Sequence, residues 1–413
     1  MKHDSLSHII KEGFHDLFHI WLEELRNVFK DQGVLIFFIL VPLGYPVLYT
    51  LIYNNEGLRE VPVAVVDQAN SAQSREFLRM TDGSANVEIA SHCADMEEAK
   101  ELIRQQKAYG IIFIPAEFDR DLARGQQTRV LIFCDMSGLL YYKAILSTCT
   151  DVSLKMNKEI KISRLSNTTD RQDEVSTQPI RYTEVSMFNP QNGFACFIIP
   201  GVIVLIIQQT LLLGIGLSVG TARENNRFSD LVPIDRHYHG TLRIVLGKSL
   251  VYFMVFLLMG TYMTCLIPHM FNLLQLAHAA TLFGFLIPYI IACIFFAMTA
   301  SILIRDRESC MVAFIFTSMI FLFISGISWP GAAVPAFWKY VSWLFPSTFG
   351  INGFIRINSM GASLDQVRFE YQALWLQAGC YFITACLVYR HQIMLSRKHA
   401  LQRLTQLRSK RGE

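Results

Sequence analysis

The chain has 413 residues, 52% hydrophobic and only 17% charged, with a formal net charge of +3 and a mean hydropathy of +0.32. Soluble domains carry about a quarter charged residues, so an ordinary soluble enzyme is excluded, and the charge deficit falls in six stretches of about twenty apolar residues, the length at which a helix crosses a bilayer. The nine cysteines show no short regular spacing and no Cys-x-x-Cys or His-Glu-x-x-His occurs, so neither a disulfide framework nor a metal site is expected.

Residues 1–33 contain "FHDLFHIWLEELRNVFKD", in which Phe14, Leu17, Phe18, Trp21, Leu22, Leu25, Val28 and Phe29 recur at helical spacing. The opposite side carries Asp16, Glu23, Glu24, Arg26 and Lys30, the pattern of a helix lying in the plane of the membrane interface. His15 and His19 share a face without a third ligand nearby. The first span, 34–53, contains Pro42, Gly44 and Pro46 and is followed by no small-residue cleavage site, so it reads as a retained span rather than a signal peptide.

Residues 54–193 form one soluble domain, and its elements alternate. Strands "VPVAVVD", "VEIA", "YGIIFIP" and "RVLIFCD" are separated by helices "SAQSREFLRM", "DMEEAKELIRQQ" and "AEFDRDLARG". A longer helix covers roughly 139–163, 166–179 is a polar loop, and "IRYTEVSMF" returns extended to the membrane. This alternation predicts an α/β sandwich with a mixed sheet. Asp67, which ends the first strand, reads as a turn cap, since no His, Ser or second acid stands at a spacing that would make it a base. With 16 basic and 20 acidic side chains the domain is acidic, which argues against nucleic acid as a partner. Its three cysteines, Cys93, Cys134 and Cys149, allow at most one bridge.

Five further spans follow at 194–219, 244–267, 279–304, 310–327 and 372–389. Gln208 and Gln209 lie in the middle of "VIVLIIQQTLLLGIG", where an amide needs either another helix or a substrate route to bond to. The inner loop "TARENNRFSDLVPIDRHYHGTLRIVLGK" packs Arg223, Glu224, Arg227, Asp230, Asp235 and Arg236 into a helix-like stretch broken at Pro233. A second inner loop, "RDRES", supplies Arg305, Arg307 and Glu308. Both suit docking to a soluble partner. The "GTLRIVLGKSL" that ends the first loop imitates a phosphate-binding loop, but that motif needs a glycine where Leu242 stands, so nucleotide binding is not read here. Lys248 is expected to snorkel to the membrane edge.

After the fifth span, "SGISWPGAAVPAFWKYVSWLFPSTFG" holds Gly326, Trp329, Pro330, Pro335, Trp338, Trp343 and Pro346. Its apolar pieces are too short to cross, and its aromatics belong at a headgroup boundary. A re-entrant hairpin over 328–350 is expected, with its broken backbone covered by protein. Eighteen Lys and Arg flank the spans on one side against three in the short segments of the other, which puts both termini in the cytoplasm. The basic tail 390–413 suits anionic inner-leaflet lipid. The fold expected is therefore a polytopic α-helical membrane protein of six spans with an inserted α/β extracytoplasmic domain.

The order of these parts resembles the permease subunit of a type-2 ABC exporter, of the subgroup with a large extracytoplasmic domain between spans one and two. The "VPVAVVD" and "SAQSREF" that open the outer domain and the "SGISWP" to "GFIRI" stretch carry the resemblance, as do Arg223-Glu224 with Leu231 in a coupling-helix position and Gly247-Lys248 before the third span. Asn226-Arg227 departs from the family's usual Gly-Thr. The resemblance implies a bacterial inner-membrane protein that binds no cofactor itself, with ATP and Mg on a separate ATPase subunit. It also implies a second permease copy, identical or homologous, and a periplasmic adaptor at the outer domain. Coupling to the ATPase would fall to Arg223, Glu224, Arg227, Asp230, Pro233, Arg305, Arg307 and Glu308. Gln208 and Gln209 would line the substrate path, and the proline and aromatic residues of 326–346 would form an outer lid. The apolar lining and the lack of buried charge suggest a hydrophobic or amphiphilic cargo. The rival reading is a membrane-anchored receptor, weakened by having only short inner segments for output. A membrane enzyme lacks any acid, base or metal constellation.

Overall fold

The computed structural model describes residues 6–53, 58–164, 193–224, 240–329 and 331–411 and a few single positions between 169 and 189, with side chains described from residue 13 to residue 395. The polar loop 166–179 and the returning stretch 180–188 lie largely outside these residues, and Arg227, Asp230, Pro233 and Pro330 lie outside them altogether. The chain forms two compact units, one of residues 57–185 and one of 1–56 with 186–413.

The larger unit opens with α1 (Leu6–Lys30) and the membrane-length helix α2 (Gln32–Tyr53). The smaller unit then runs β1 (Val61–Asp67), α3 (Ala72–Asp82), β2 (Val87–His92), α4 (Met96–Arg104), β3 (Gly110–Ile114), α5 (Phe118–Ala123), β4 (Leu131–Cys134) and α6 (Leu139–Arg164). Its sheet has the order β2-β1-β3-β4, with β1 parallel to both β2 and β3 and β4 antiparallel to β3. β1 is buried on both faces because both its side-chain rows are apolar. Val61, Val63 and Val65 join Phe77, Ile112, Ile114, Ile145 and Cys149 in one core, and Ala64 and Val66 join Ala99 and Ile111 in the other. Asp67 accepts the Ala69 and Asn70 N–H groups and the Ser74 hydroxyl, so it builds the turn into α3.

The larger unit continues with α7 (Phe194–Glu224), α8 (Thr241–Met270), α9 (Ala279–Leu303), α10 (Arg307–Ile324), the short α11 (Ala336–Ser342), α12 (Pro346–Met360) and α13 (Arg368–Arg411). With α2, the helices α7, α8, α9, α10 and α13 give six that are long and apolar enough to cross a membrane. A helix that is apolar all round needs either protein or lipid on every side. α7 is such a helix, and α2, α9, α10 and α12 enclose it. α10 is the opposite case, with Ile315, Phe316, Met319, Ile320 and Phe323 all exposed.

α12 has 15 residues, about 22 Å at 1.5 Å per residue, short of the roughly 30 Å hydrocarbon layer. The turn between α11 and α12 leaves backbone groups without helical partners, and side chains of neighbouring helices supply them. Gln208 of α7 accepts the Ser347 N–H at 2.6 Å, Gln377 of α13 donates to Trp343 O at 2.7 Å, and the Tyr381 hydroxyl donates to Leu344 O.

Candidate functional site

The candidate site is the end of the bundle at which α1 meets the spans. α1 approaches α8 closely because Gly247 has no side chain: a Cβ there would stand 2.7 Å from Ile20 Cγ2. Three acidic residues then tie α1 and its exit to other helices. Asp16 pairs with Arg243 at 2.5 Å, Glu24 with Lys248 at 2.6 Å, and Asp31 with Arg307 at 3.2 Å. The Tyr252 hydroxyl also donates to Glu24.

Two expectations are corrected here. Lys248 does not snorkel; it is 4% exposed and bonded to a Glu24 that is 3% exposed. Nor is the bundle free of buried charge. The sequence places Asp16 and Glu24 opposite the aromatic stripe, and the structure turns them into the protein because α8 carries cations at matching heights. The Gly-Lys-Ser at 247–249 thus serves helix contact, its glycine for approach and its lysine for the ion pair.

Asp31 is the centre of a second knot. Its Oδ1 accepts the Gly33 and Val34 N–H groups, capping α2, as well as Arg307 Nη2, and its Oδ2 accepts the Thr221 hydroxyl of α7. Two residues on, Arg223 donates from Nη1 to the carbonyls of Ser301, Ile302 and Ile304 at the end of α9, where helical partners run out and only Ser301 O also takes the Ile304 N–H. Asp306 caps α10 through the Ser309 N–H at 2.6 Å, and that bond holds its carboxyl below the usual range. The ends of α7 and α9 and the starts of α2 and α10 are thereby fastened together.

Of the charged residues expected to face a partner, Arg223 and Arg307 are half-buried and engaged in this knot, while Glu224, Arg305 and Glu308 are exposed beside exposed Ile302 and Leu303. Sequence reasoning missed Asp31, Thr221 and Asp306. An Asp directly before an apolar helical run is an N-cap signal that could have found Asp31 and Asp306; nothing local marks Thr221.

Mid-span, Gln208 Oε1 takes the Ser347 N–H from α12, while the adjoining Tyr289 hydroxyl of α9 donates to Val204 O at 2.6 Å. Gln209 is 5% exposed with neither amide atom bonded, and Gln208 Nε2 is also unbonded. Towards the other end, Gly326 closes α10 in a left-handed conformation, and Trp329, Trp338 and Trp343 are exposed. Pro335 precedes α11, and Pro346 begins α12 and is buried.

Membrane-length helices joined by polar knots at one end, with an exposed patch of mixed charge on that end, define a polytopic membrane protein. The model of the ABC-2 family transporter protein matches residues 33–387, and the chain belongs to that family. It is also 20% identical, over 369 residues covering 88% of this chain and 94% of the relative, to the probable multidrug ABC transporter permease YbhR of Escherichia coli strain K12, and equally to YbhR of Escherichia coli O157:H7. The family makes this chain a transporter permease and implies an ABC ATPase as its partner.

Proposed function

We propose that the chain is the membrane-spanning half of an exporter that moves a hydrophobic or amphiphilic cargo outward across a bacterial inner membrane, driven by a separate ATPase that binds ATP and Mg. Both termini lie in the cytoplasm, the unit 57–185 lies outside, and two permease copies assemble with two ATPases. Residues 220–240 and 305–308 dock on the ATPase through Glu224, Arg305 and Glu308, and Arg227, Asp230 and Pro233 of the first loop take part as the family resemblance implies. Gln208 and Gln209 line the cargo route, with the unbonded amide of Gln209 available to a passing polar group. Gly326, Trp329, Pro330, Pro335, Trp338, Trp343 and Pro346 cover its outer end, and an adaptor meets the outer unit.

The observation that carries this reading is the fastening of α9 to α7 by Arg223, directly beside the exposed Glu224 and Arg305. A movement imposed on that patch reaches α7, α9 and α10 together, so nucleotide binding on the partner can shift a two-state bundle. The test is co-purification of the ATPase with a Glu224→Lys/Arg305→Glu/Glu308→Lys chain. Loss of the ATPase with unchanged yield of the permease is expected, together with loss of ATP-dependent dye uptake into inverted vesicles. An ATPase that still co-purifies in full would refute the docking assignment.

A further inference from the structure

β4 ends the sheet, so among the described residues no strand lies beside its outer edge. An open edge is a template for another strand, and natural edges are usually blunted by lysine, proline or a bulge. Residues 130–134 read Val-Leu-Ile-Phe-Cys and carry none of these. Phe133, Met136, Leu139 and Leu140 beside the edge are 46–71% exposed.

The direction of the edge's polar groups follows from the ladder. Asp135 N–H donates to Tyr109 O at 2.9 Å, and the register continues through Cys134 opposite Gly110, Phe133 opposite Ile111 and Ile132 opposite Ile112. Antiparallel bonding alternates along a strand. Leu131 and Phe133 therefore turn their backbone groups to β3 with Asp135, and Val130, Ile132 and Cys134 turn theirs to the open side.

We infer that this edge is a contact between two copies of the chain, paired antiparallel about a two-fold axis through Ile132; the inference rests on the two-permease reading above. In that register Ile132 meets its own copy and Val130 meets the partner's Cys134, so all three outward residues exchange both backbone hydrogen bonds. The intervening positions come closest, about 4.5 Å between Cα atoms. There Leu131 meets the partner's Phe133, and Arg129 meets the partner's Asp135. Arg129 is exposed and makes no ion pair with a described residue, and Asp135, which accepts from the Ser137 N–H and hydroxyl, has no cation paired with it among the described residues. A slip of one residue sets outward groups against inward ones. A slip of two sets Arg129 against Phe133 or Asp135 against Leu131, which opposes a charge to an apolar side chain. The charge match thus selects one register, and it joins the two sheets into one of eight strands.

The test is cross-linking of the full chain with its ATPase in membranes, using a mild copper(II) oxidant on Ile132→Cys in a Cys134→Ser background. Glu88→Cys in the same background is the control, since it lies on β2 at the opposite edge. A covalent dimer is expected at 132 and none at 88. Arg129→Asp should lower the yield several-fold and Arg129→Lys should keep it. Native mass of the purified complex counts the copies. If it holds two copies but 132 stays uncross-linked, or 88 cross-links equally, the β4 contact is wrong and the two-copy reading stands. A complex with a single copy overturns both.

Discussion

Glu24 and Lys248 show how much one pair can matter when both members are out of water. Each ion loses several kcal/mol of hydration, and mutual attraction restores it only while both are present. Lys248→Met alone should therefore cost about 3–5 kcal/mol, because Glu24 stays buried with no cation paired to it and the Tyr252 hydroxyl as its remaining donor among the described residues. Glu24→Gln/Lys248→Met should recover most of that loss, since a glutamine still accepts from the Tyr252 hydroxyl. Thermal unfolding in detergent reads both, and a double variant no better than the single one would contradict the account. In the smaller unit, burial first and neighbouring Cys134 second push the Cys149 thiol up to about 12. An unfolded thiol ionises near 8.5, so the raised value favours folding fully below about pH 8.5 and progressively less as pH climbs towards 12. Native protein should leave Cys149 unlabelled by a maleimide at neutral pH and expose it in urea. Cys149→Ala should lose stability less steeply across that alkaline range.

At the scale of elements, α1 shows what the sequence could and could not convey. Placed at ~100° per residue, its positions fall into three stripes: Phe14, Phe18, Trp21, Leu25 and Phe29; His15, His19, Glu23, Arg26 and Lys30; and Asp16, Ile20, Glu24 and Val28. The first was legible as an apolar face. In the third, Val28 was read with the apolar face but Asp16 and Glu24 with the polar one, because they are acids whose partners lie more than 200 positions away. The strands were legible for the opposite reason: β1 to β4 are local apolar runs bounded by turn residues, and each was found within two or three residues of its predicted place. Nothing local revealed that Gly350 and Gly353 of α12 seat the rings of Tyr289 and Phe285, one turn apart on α9. A Cβ at either glycine would stand 2.3 Å from a ring carbon. Gly350→Ala should cost about 1–3 kcal/mol from overpacking. Gly379→Ala, on α13 with nothing within 4 Å of the added carbon, should be neutral or stabilising because alanine favours helix. Unfolding midpoints of the two variants should move in different directions, or at least by clearly different amounts.

For the whole molecule, the six spans were legible from composition and length, while their joining at one end was not, because it depends on side chains from four helices meeting. That joining separates two roles that the sequence had merged in one charged loop. Glu224 is exposed and free to touch a partner, whereas Arg223 reaches back to three carbonyls at the end of α9. If Glu224 docks and Arg223 transmits, the two substitutions should fail differently. Glu224→Lys should reduce association with the ATPase, and with it both hydrolysis stimulated by the permease and transport. Arg223→Gln should keep association, since the docking surface is intact, but loosen α7 from α9 so that fewer cargo molecules move per ATP hydrolysed. A glutamine supplies at most two donors from one nitrogen where the guanidinium now serves three acceptors, so a drop of several-fold in that ratio is expected rather than its abolition. The ratio is measured in vesicles from dye uptake and phosphate release on the same sample. Equal loss of association in both variants would mean that Arg223 only shapes the docking surface, and the coupling would then have to pass through Asp31 and Arg307 instead.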